Sequence, residues 1–315
     1  MFDPRAFVEE KTAELRERIT GKAIIACSGG VDSTVAAVLV DRAIGERLLT
    51  VYVDTGLMRQ GETEYVRGTF DKLGVHYKMV EASQEFFAAL KGHIDPERKR
   101  KAIGERFIRV FEREAKTFGA EFLVQGTIAP DWIESGDGVR DTIKSHHNVG
   151  GLPEDMSLKL IEPLWDLYKD EVRLVARHLG VEVSERQPFP GPALAIRVIG
   201  EATEESVRVV REACAIVEQE LEAASDRGAM PRPWQYFGVL LPVQSVGVQG
   251  DRRAYGRTVA IRSVESVDGM TATFSRIPYD VLERISLRIT NEMKANVNRV
   301  VYDITHKPPA TIEWE

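Results

Sequence analysis

Lys22-Ala23-Ile24-Ile25-Ala26-Cys27-Ser28-Gly29-Gly30-Val31-Asp32-Ser33-Thr34 is the stretch on which the reading of the chain turns. Residues 22–27 form a short apolar run that stops at Ser28-Gly29-Gly30, which predicts a buried strand. From Asp32 the spacing of Val31, Val35, Val38 and Leu39, with alanines between, predicts a helix to about Ile44. Leu48-Leu49-Thr50-Val51-Tyr52-Val53 reads as a second buried strand, and strand, helix and strand in this order make a βαβ unit.

Working outward, the rhythm repeats. A helical lead-in covers Phe7 to Ile19. Helices are predicted at 62–73, 84–91 and 96–118, strands at 75–80 and 121–125, a further strand near Leu158–Ile161 and a helix at Lys169–Leu179. The fold class is α/β: a doubly wound parallel sheet whose ligand lies at the carboxyl ends of its strands. Residues 184–193, with Pro188, Pro190, Gly191 and Pro192, cannot continue a helix or a central strand, so the domain boundary falls between 186 and 187. Beyond it the pattern predicts a strand Leu194–Ile199, a helix from Glu204 to about Ala224, strands near 237–248 and 256–264, a helix Pro278–Ala295 and a last strand Arg299–Ile304. That makes a second, smaller α+β domain over 187–315.

Composition narrows the function classes. The chain has 315 residues, with 42 Lys and Arg against 49 Asp and Glu for a net charge of −7, which disfavours a nucleic-acid binder working through bulk charge. Its 2 cysteines, Cys27 and Cys214, cannot build a disulfide framework or thiolate cage and suit a reducing cytoplasm. No stretch approaches the ~20 apolar residues of a membrane span.

The junction itself carries chemistry. Bare backbone N–H groups and the helix dipole favour an anion there, the two glycines let the backbone approach phosphate oxygens, and Ser28, Ser33 and Thr34 are expected to add hydroxyl donors. The loop is a phosphate cradle without a lysine, unlike G-x-x-x-x-G-K-[ST]. Asp32 facing phosphates is repulsive unless a cation lies between, so a Mg²⁺ ion is expected at Asp32. The plainer alternative makes Ser28-Gly29-Gly30 a tight turn and Asp32 an N-cap.

The loop S-G-G-x-D-S resembles that of the N-type ATP pyrophosphatases, adenine nucleotide alpha hydrolase-like proteins in which it holds the β and γ phosphates. The resemblance implies that the α-phosphate faces the substrate and that AMP and pyrophosphate are the products. Further blocks narrow the resemblance: Asp54-Thr55-Gly56-Leu57-Met58-Arg59, Lys99-Arg100-Lys101-Ala102-Ile103-Gly104, Gln125-Gly126-Thr127 running on to Ser135, Ile143-Lys144-Ser145-His146-His147-Asn148, Lys169-Asp170-Glu171-Val172-Arg173, Pro188-Phe189-Pro190-Gly191-Pro192, Gly247 to Arg253, and Lys307-Pro308-Pro309-Ala310-Thr311-Ile312-Glu313-Trp314-Glu315. Together they look like the GMP synthetases from near Lys22 to the last residue.

By that resemblance, residues 1–186 are an ATP pyrophosphatase domain and 187–315 an XMP-binding and dimerisation domain. Ser28, Gly29, Gly30, Val31, Asp32, Ser33 and Thr34 bind the ATP phosphates, while the backbone near Val53-Asp54 and Gly126-Thr127 frames the nucleoside. Arg100, Asp251, Lys307, Ile312 and Glu313 contact XMP, and Arg253 is a further cation for its phosphate. Lys99 and Lys101 are catalytic candidates on a mobile lid, although K-R-K by composition reads as a solvated helix face. The expected reaction is ATP-dependent amination of XMP to GMP through an adenylyl-XMP intermediate. Neither cysteine sits in a glutaminase motif, so a separate glutamine amidotransferase subunit supplies ammonia, and a homodimer is expected. Gln187 and Ala193 depart from the family's usual histidine and glycine; a left-handed backbone at Ala193 would cost roughly 1–2 kcal/mol. His146 and His147 lack metal-ligand spacing. The rival readings are NAD synthetase, a tRNA thiolase, or a nucleotide sensor without turnover.

Overall fold

A computed structural model describes residues 2–129, 158–182 and 187–315. The end of the Gln125 block from Pro130, the segment holding His146 and His147, and Ser184–Arg186 lie outside the described residues. The chain divides into two compact units, one of Met1–Thr55, Glu62–Ala82 and Gly104–Glu185, the other of Gly56–Gly61, Ser83–Ile103 and Arg186–Glu315.

The first unit is built on five parallel strands, β1 (Ala23–Ala26), β2 (Leu48–Asp54), β3 (Tyr77–Glu81), β4 (Phe122–Val124) and β5 (Lys159–Ile161), in the order β3-β2-β1-β4-β5. Its helices are α1 (Pro4–Arg18), α2 (Val31–Ile44), α3 (Glu62–Leu73) and, after the two elements introduced below, α6 (Lys169–Leu179). The strand order reverses at β1, whose neighbours run out to opposite sides, so the doubly wound sheet has its topological switch point at the loop Ser28–Gly30. Every residue of α2 from Thr34 to Val40 is buried, which is why this helix lies inside the fold against α1 and α6. α1 begins three residues before its sequence-predicted start because Asp3 Oδ1 accepts the N–H groups of Arg5 (2.9 Å) and Ala6 (3.3 Å) and Pro4 takes the first helical position.

The second unit holds α4 (Ser83–Leu90), α7 (Glu204–Asp226), α8 (Tyr279–Glu292) and a sheet of β6 (Gln235–Gln249), β7 (Arg252–Glu265), β8 (Thr273–Phe274) and β9 (Val297–Asp303). β7 pairs antiparallel with β6 and β8 and parallel with β9. α5 (Pro96–Phe118) belongs to the second unit up to Ile103 and to the first from Gly104. The β6–β7 hairpin outruns its sequence-predicted ends: ladder pairing continues to Gln249↔Arg252 while Val246, Val248 and Tyr255 are exposed.

The predicted strand Leu194–Ile199 is not there. Ala193–Arg197 is a 3₁₀ turn, and only Val198 makes an isolated bridge, to Leu240. Ala193 sits at φ +54°, with its N–H on Pro190 O at 2.9 Å, and this left-handed residue bends the chain out of an extended path. All five residues of the turn are buried, so the apolar run records burial and not strand alternation. Ala193→Gly is therefore expected to raise unfolding stability by about 1 kcal/mol, read from the urea midpoint; an unchanged or lower midpoint would show that the turn carries no strain.

Candidate active site

The phosphate cradle begins where β1 ends. The Cys27 N–H still pairs with Val51 O (2.9 Å), after which Gly29 turns the chain at φ +82°. A Cβ on Gly29 would meet Val66 Cγ2 at 2.5 Å, so both conformation and space require glycine. Gly30 is the N-cap of α2 and offers no capping side chain. The first helical bond runs from Thr34 N–H to Gly30 O (3.0 Å), so the amides of Val31, Asp32 and Ser33 come before it at the positive end of the helix dipole. Two of the three expected hydroxyl donors are turned inward. Ser33 Oγ (3.1 Å) and Thr34 Oγ1 (2.8 Å) both donate to Gly30 O, and Thr34 is buried. Short hydroxyl side chains in a first helical turn bond back to the nearest carbonyl; Ser28 alone of the three is exposed.

Asp32 is the second helical residue and does not cap α2. Its Oδ2 accepts from Lys169 Nζ at 2.6 Å, while Oδ1 is buried with no hydrogen-bond partner. The cradle that reads as lysine-free in sequence thus receives a lysine from the first residue of α6, whose start is fixed by Tyr168 N–H donating to Glu171 Oε2 (2.9 Å). A buried carboxylate oxygen without a donor is costly and is suited to a cation. Among the described residues no three His, Cys, Asp or Glu side chains gather as a metal cage. The donor set therefore fits an ion that takes one carboxylate and completes its shell with phosphate oxygens and water, as Mg²⁺ does.

Gly126 closes one wall. A Cβ there would lie 3.0 Å from Asp32 C and from Ser33 N, so the turn after β4 rests on the backbone of the helix start and Thr127 follows it. Neighbouring bonds fix this turn, Gln125 N–H to Ile161 O and Ala129 N–H to Leu167 O, each 2.9 Å. Val53 and Asp54 end β2. The Asp54 carbonyl takes the Ala82 N–H (3.0 Å) and its Oδ2 the Thr63 hydroxyl (2.7 Å), so part of its capacity serves the sheet.

In the second unit the residues from Lys307 to Glu315 are ordered by three fully buried cations. Arg262 on β7 donates from Nη1 to Thr305 O (2.5 Å), from Nη2 to Thr311 O (3.1 Å) and from Nε to Ile312 O (3.3 Å), and lies 3.3 Å from Asp303 Oδ2. Arg197 holds Glu313 with two bonds, Nη2 to Oε1 (2.8 Å) and Nε to Oε2 (3.1 Å). Its guanidinium lies over the rings of Phe237 (4.0 Å) and Phe189 (5.1 Å). Burial works against its charge, but Glu313 more than offsets this and its pKa is raised. Gln235 Nε2 completes the Glu313 carboxylate at 2.9 Å. The third cation is Lys99, whose Nζ donates to Val198 O (2.7 Å), Ala195 O (3.3 Å) and a carboxylate oxygen of Glu315. Burial lowers the Lys99 pKa and raises that of Glu315, while each charge favours the other.

The expected solvated face and lid thus fail at Lys99, whose three ammonium protons all have acceptors. Arg100 is half-exposed and pairs with Glu97, and Lys101 is exposed. Lys307 Nζ donates to Gly269 O (2.8 Å), and Ile312 is buried. Asp251 and Arg253 sit at the exposed hairpin turn. Nine residue steps along β7, about 30 Å of extended strand, lie between Arg253 and Arg262, where the tail is held. The Gln187 side chain donates to Glu218 (2.9 Å) and accepts Tyr236 N–H (2.7 Å).

Sequence reasoning missed Lys169, Arg197, Gln235 and Arg262. The available signal was a lone arginine inside the apolar runs Leu194–Ile199 and Val259–Val264.

Both thiols are buried, Cys27 beneath the cradle with its Sγ 3.5 Å from Ser33 Oγ and from Thr34 Oγ1. Burial raises Cys27, and raises Cys214 from 9.0 to about 11. Both are expected to stay unreactive toward a disulfide reagent at pH 8 until the chain unfolds; rapid titration of either in the native protein would contradict this. Because folded Cys214 keeps its proton between about 9 and 11 while the unfolded thiol loses it, its contribution to stability falls as pH rises through that window.

Two family models match parts of the chain. Residues 5–114 match the family model NAD synthase and residues 222–314 the GMP synthase C terminal domain. The chain is 61% identical over 313 residues to a subunit of the glutamine-hydrolyzing GMP synthase of Pyrococcus furiosus, covering 98% of this chain and 97% of that one. To the corresponding subunit from Thermoplasma acidophilum it is 56% identical over 310 residues, with 98% and 99% covered. To the longer glutamine-hydrolyzing GMP synthase of Geobacillus kaustophilus it is 58% identical over 314 residues, covering 98% of this chain and 61% of that protein. Among solved structures, the NH3-dependent NAD synthetase from Campylobacter jejuni aligns with a TM-score of 0.44 at 17% identity, over 57% of this chain and 75% of that chain.

Proposed function

The chain belongs to this family of glutamine-hydrolyzing GMP synthase subunits, and from that membership we propose how it aminates XMP to GMP with ATP. It is a ligase of purine nucleotide biosynthesis that forms a C–N bond. The amides of Val31, Asp32 and Ser33 receive the outer phosphates of ATP, with Gly29 and Gly30 giving the backbone its close approach. Asp32 would hold a Mg²⁺ ion, which would supply charge neutralisation for the phosphates. Lys169, now on Asp32 Oδ2, is an ammonium at the cradle that meets phosphate charge as it arrives.

With the outer phosphates held, the α-phosphorus is the electrophile. The C2 oxygen of XMP attacks it, the α–β bridging bond breaks, and pyrophosphate leaves with the electron pair. Ammonia then adds at C2 of the adenylyl-XMP, AMP departs and a proton is released, giving GMP. Positioning and charge neutralisation do the work, and no enzyme nucleophile is needed. Arg100 and Lys307 supply cations for the XMP phosphate, and Ile312 and Glu313 face its purine, with the exposed Lys101 a further catalytic candidate on α5.

The observation that carries the nucleotide half is the orphaned Asp32 oxygen beside Lys169 at an uncapped helix start. Ammonia comes from a separate glutaminase subunit. A homodimer is part of this reading, and the exposed hairpin turn with Asp251 and Arg253, one strand length from Arg262, supports a second copy presenting them to an XMP site. The cytoplasm suits two free, buried thiols; among the described residues no helix is long and apolar enough to cross a membrane. Incubation with MgATP, XMP and ammonium tests the reading. GMP, AMP and pyrophosphate in equal amounts support it; ADP with inorganic phosphate, or binding without turnover, overturns it.

A further inference from the structure

A lysine with no exposed surface is an expensive way to join two segments, since an apolar pair of similar volume often serves stability as well. Lys99 is such a residue, and its acceptors come from two separate places: the carbonyls of Ala195 and Val198 around the buried 3₁₀ turn, and the Glu315 carboxylate in the tail. Glu315 also accepts the Gly200 N–H, at 3.4 Å. Three ammonium protons on three acceptors fix the first turn of α5 against both segments in a single register.

Both partners of the ion pair adjoin residues assigned to XMP. Arg100 follows Lys99 in α5, and its guanidinium is half-exposed with its bond to Glu97 at the surface. Glu313 lies two residues before Glu315, already held by Arg197 and Gln235. A slip between α5 and the tail would move Arg100 relative to Glu313, and a nucleoside monophosphate that must meet both would lose one of them. We propose that Lys99 is a positioning residue for XMP, which through its salt bridge to Glu315 sets the spacing between Arg100 and the tail residues Lys307, Ile312 and Glu313. This rests on the reading of the tail as the XMP site and departs from Lys99 as a catalytic group.

The test uses the full chain with saturating ammonium, measuring KM for XMP, KM for MgATP, kcat and thermal melting. Lys99→Met and Glu315→Gln are each expected to raise the KM for XMP roughly tenfold, with the double variant no worse than Lys99→Met alone. KM for MgATP and kcat stay within about twofold, the pattern of lost ground-state binding. Glu315→Gln keeps the side-chain shape and so decides the matter alone if Lys99→Met does not fold. An unchanged KM for XMP in a folded variant, effects that multiply in the double variant, or equal rises in both KM values would each overturn the proposal. If the unmodified chain makes no GMP, the functional reading has failed and this inference falls with it. If it makes GMP and the variants keep its KM, only the positioning role has failed.

Discussion

Asp32→Asn is expected to lower kcat/KM for ATP by about a thousandfold or more and to abolish pyrophosphate release, while leaving the protein as stable as before. The substitution keeps the size of the side chain and an oxygen that can still accept from Lys169, so the helix start has no reason to rearrange. What it removes is the negative charge at a buried oxygen that has no hydrogen-bond partner in the fold. A carboxylate with one oxygen on Lys169 and the other left without a donor at the head of α2 makes sense where a cation and phosphates arrive. Quantifying pyrophosphate and AMP alongside a melting curve separates chemistry from folding. Turnover at the normal rate in Asp32→Asn would remove this carboxylate from the mechanism.

Arg197→Met is expected to cost about 3–5 kcal/mol of unfolding free energy, because it leaves the Glu313 carboxylate with only Gln235 in a largely closed environment. The double variant Arg197→Met with Glu313→Gln is expected to regain most of that loss, since neither charge is then left alone. Methionine fits between Phe189 and Phe237 as an apolar, polarisable filler. Urea denaturation of the two variants gives the comparison directly. A loss below about 1 kcal/mol for the single variant would mean that the pair is solvated and does not anchor the tail.

Much of this is legible in the sequence. The run from Lys22 to Thr34 announces a strand, a bare-amide turn and a helix, because local periodicity and two glycines decide all three, and the sheet has the wound order that such units produce. Lys169 cannot be assigned to the cradle by spacing, since it reaches Asp32 across 137 residues and only the closed sheet brings them together. Lys99 misleads for the opposite reason: in K-R-K at the start of a charged helix, composition favours solvent, whereas burial is decided by carbonyls at 195 and 198 that no local pattern announces. The turn at Ala193 reads as a strand because five buried residues in succession carry no period. Its left-handed backbone, by contrast, is legible as the consequence of an alanine standing where glycine is usual.

Arg262 grips the tail through the oxygens of Thr305, Thr311 and Ile312, and main-chain oxygens are common to every amino acid. The clamp therefore recognises a route and not a spelling. Thr305 and Thr311 have exposed side chains, so a designer can rewrite those two positions without loosening the clamp, provided the path of the chain between them is left alone.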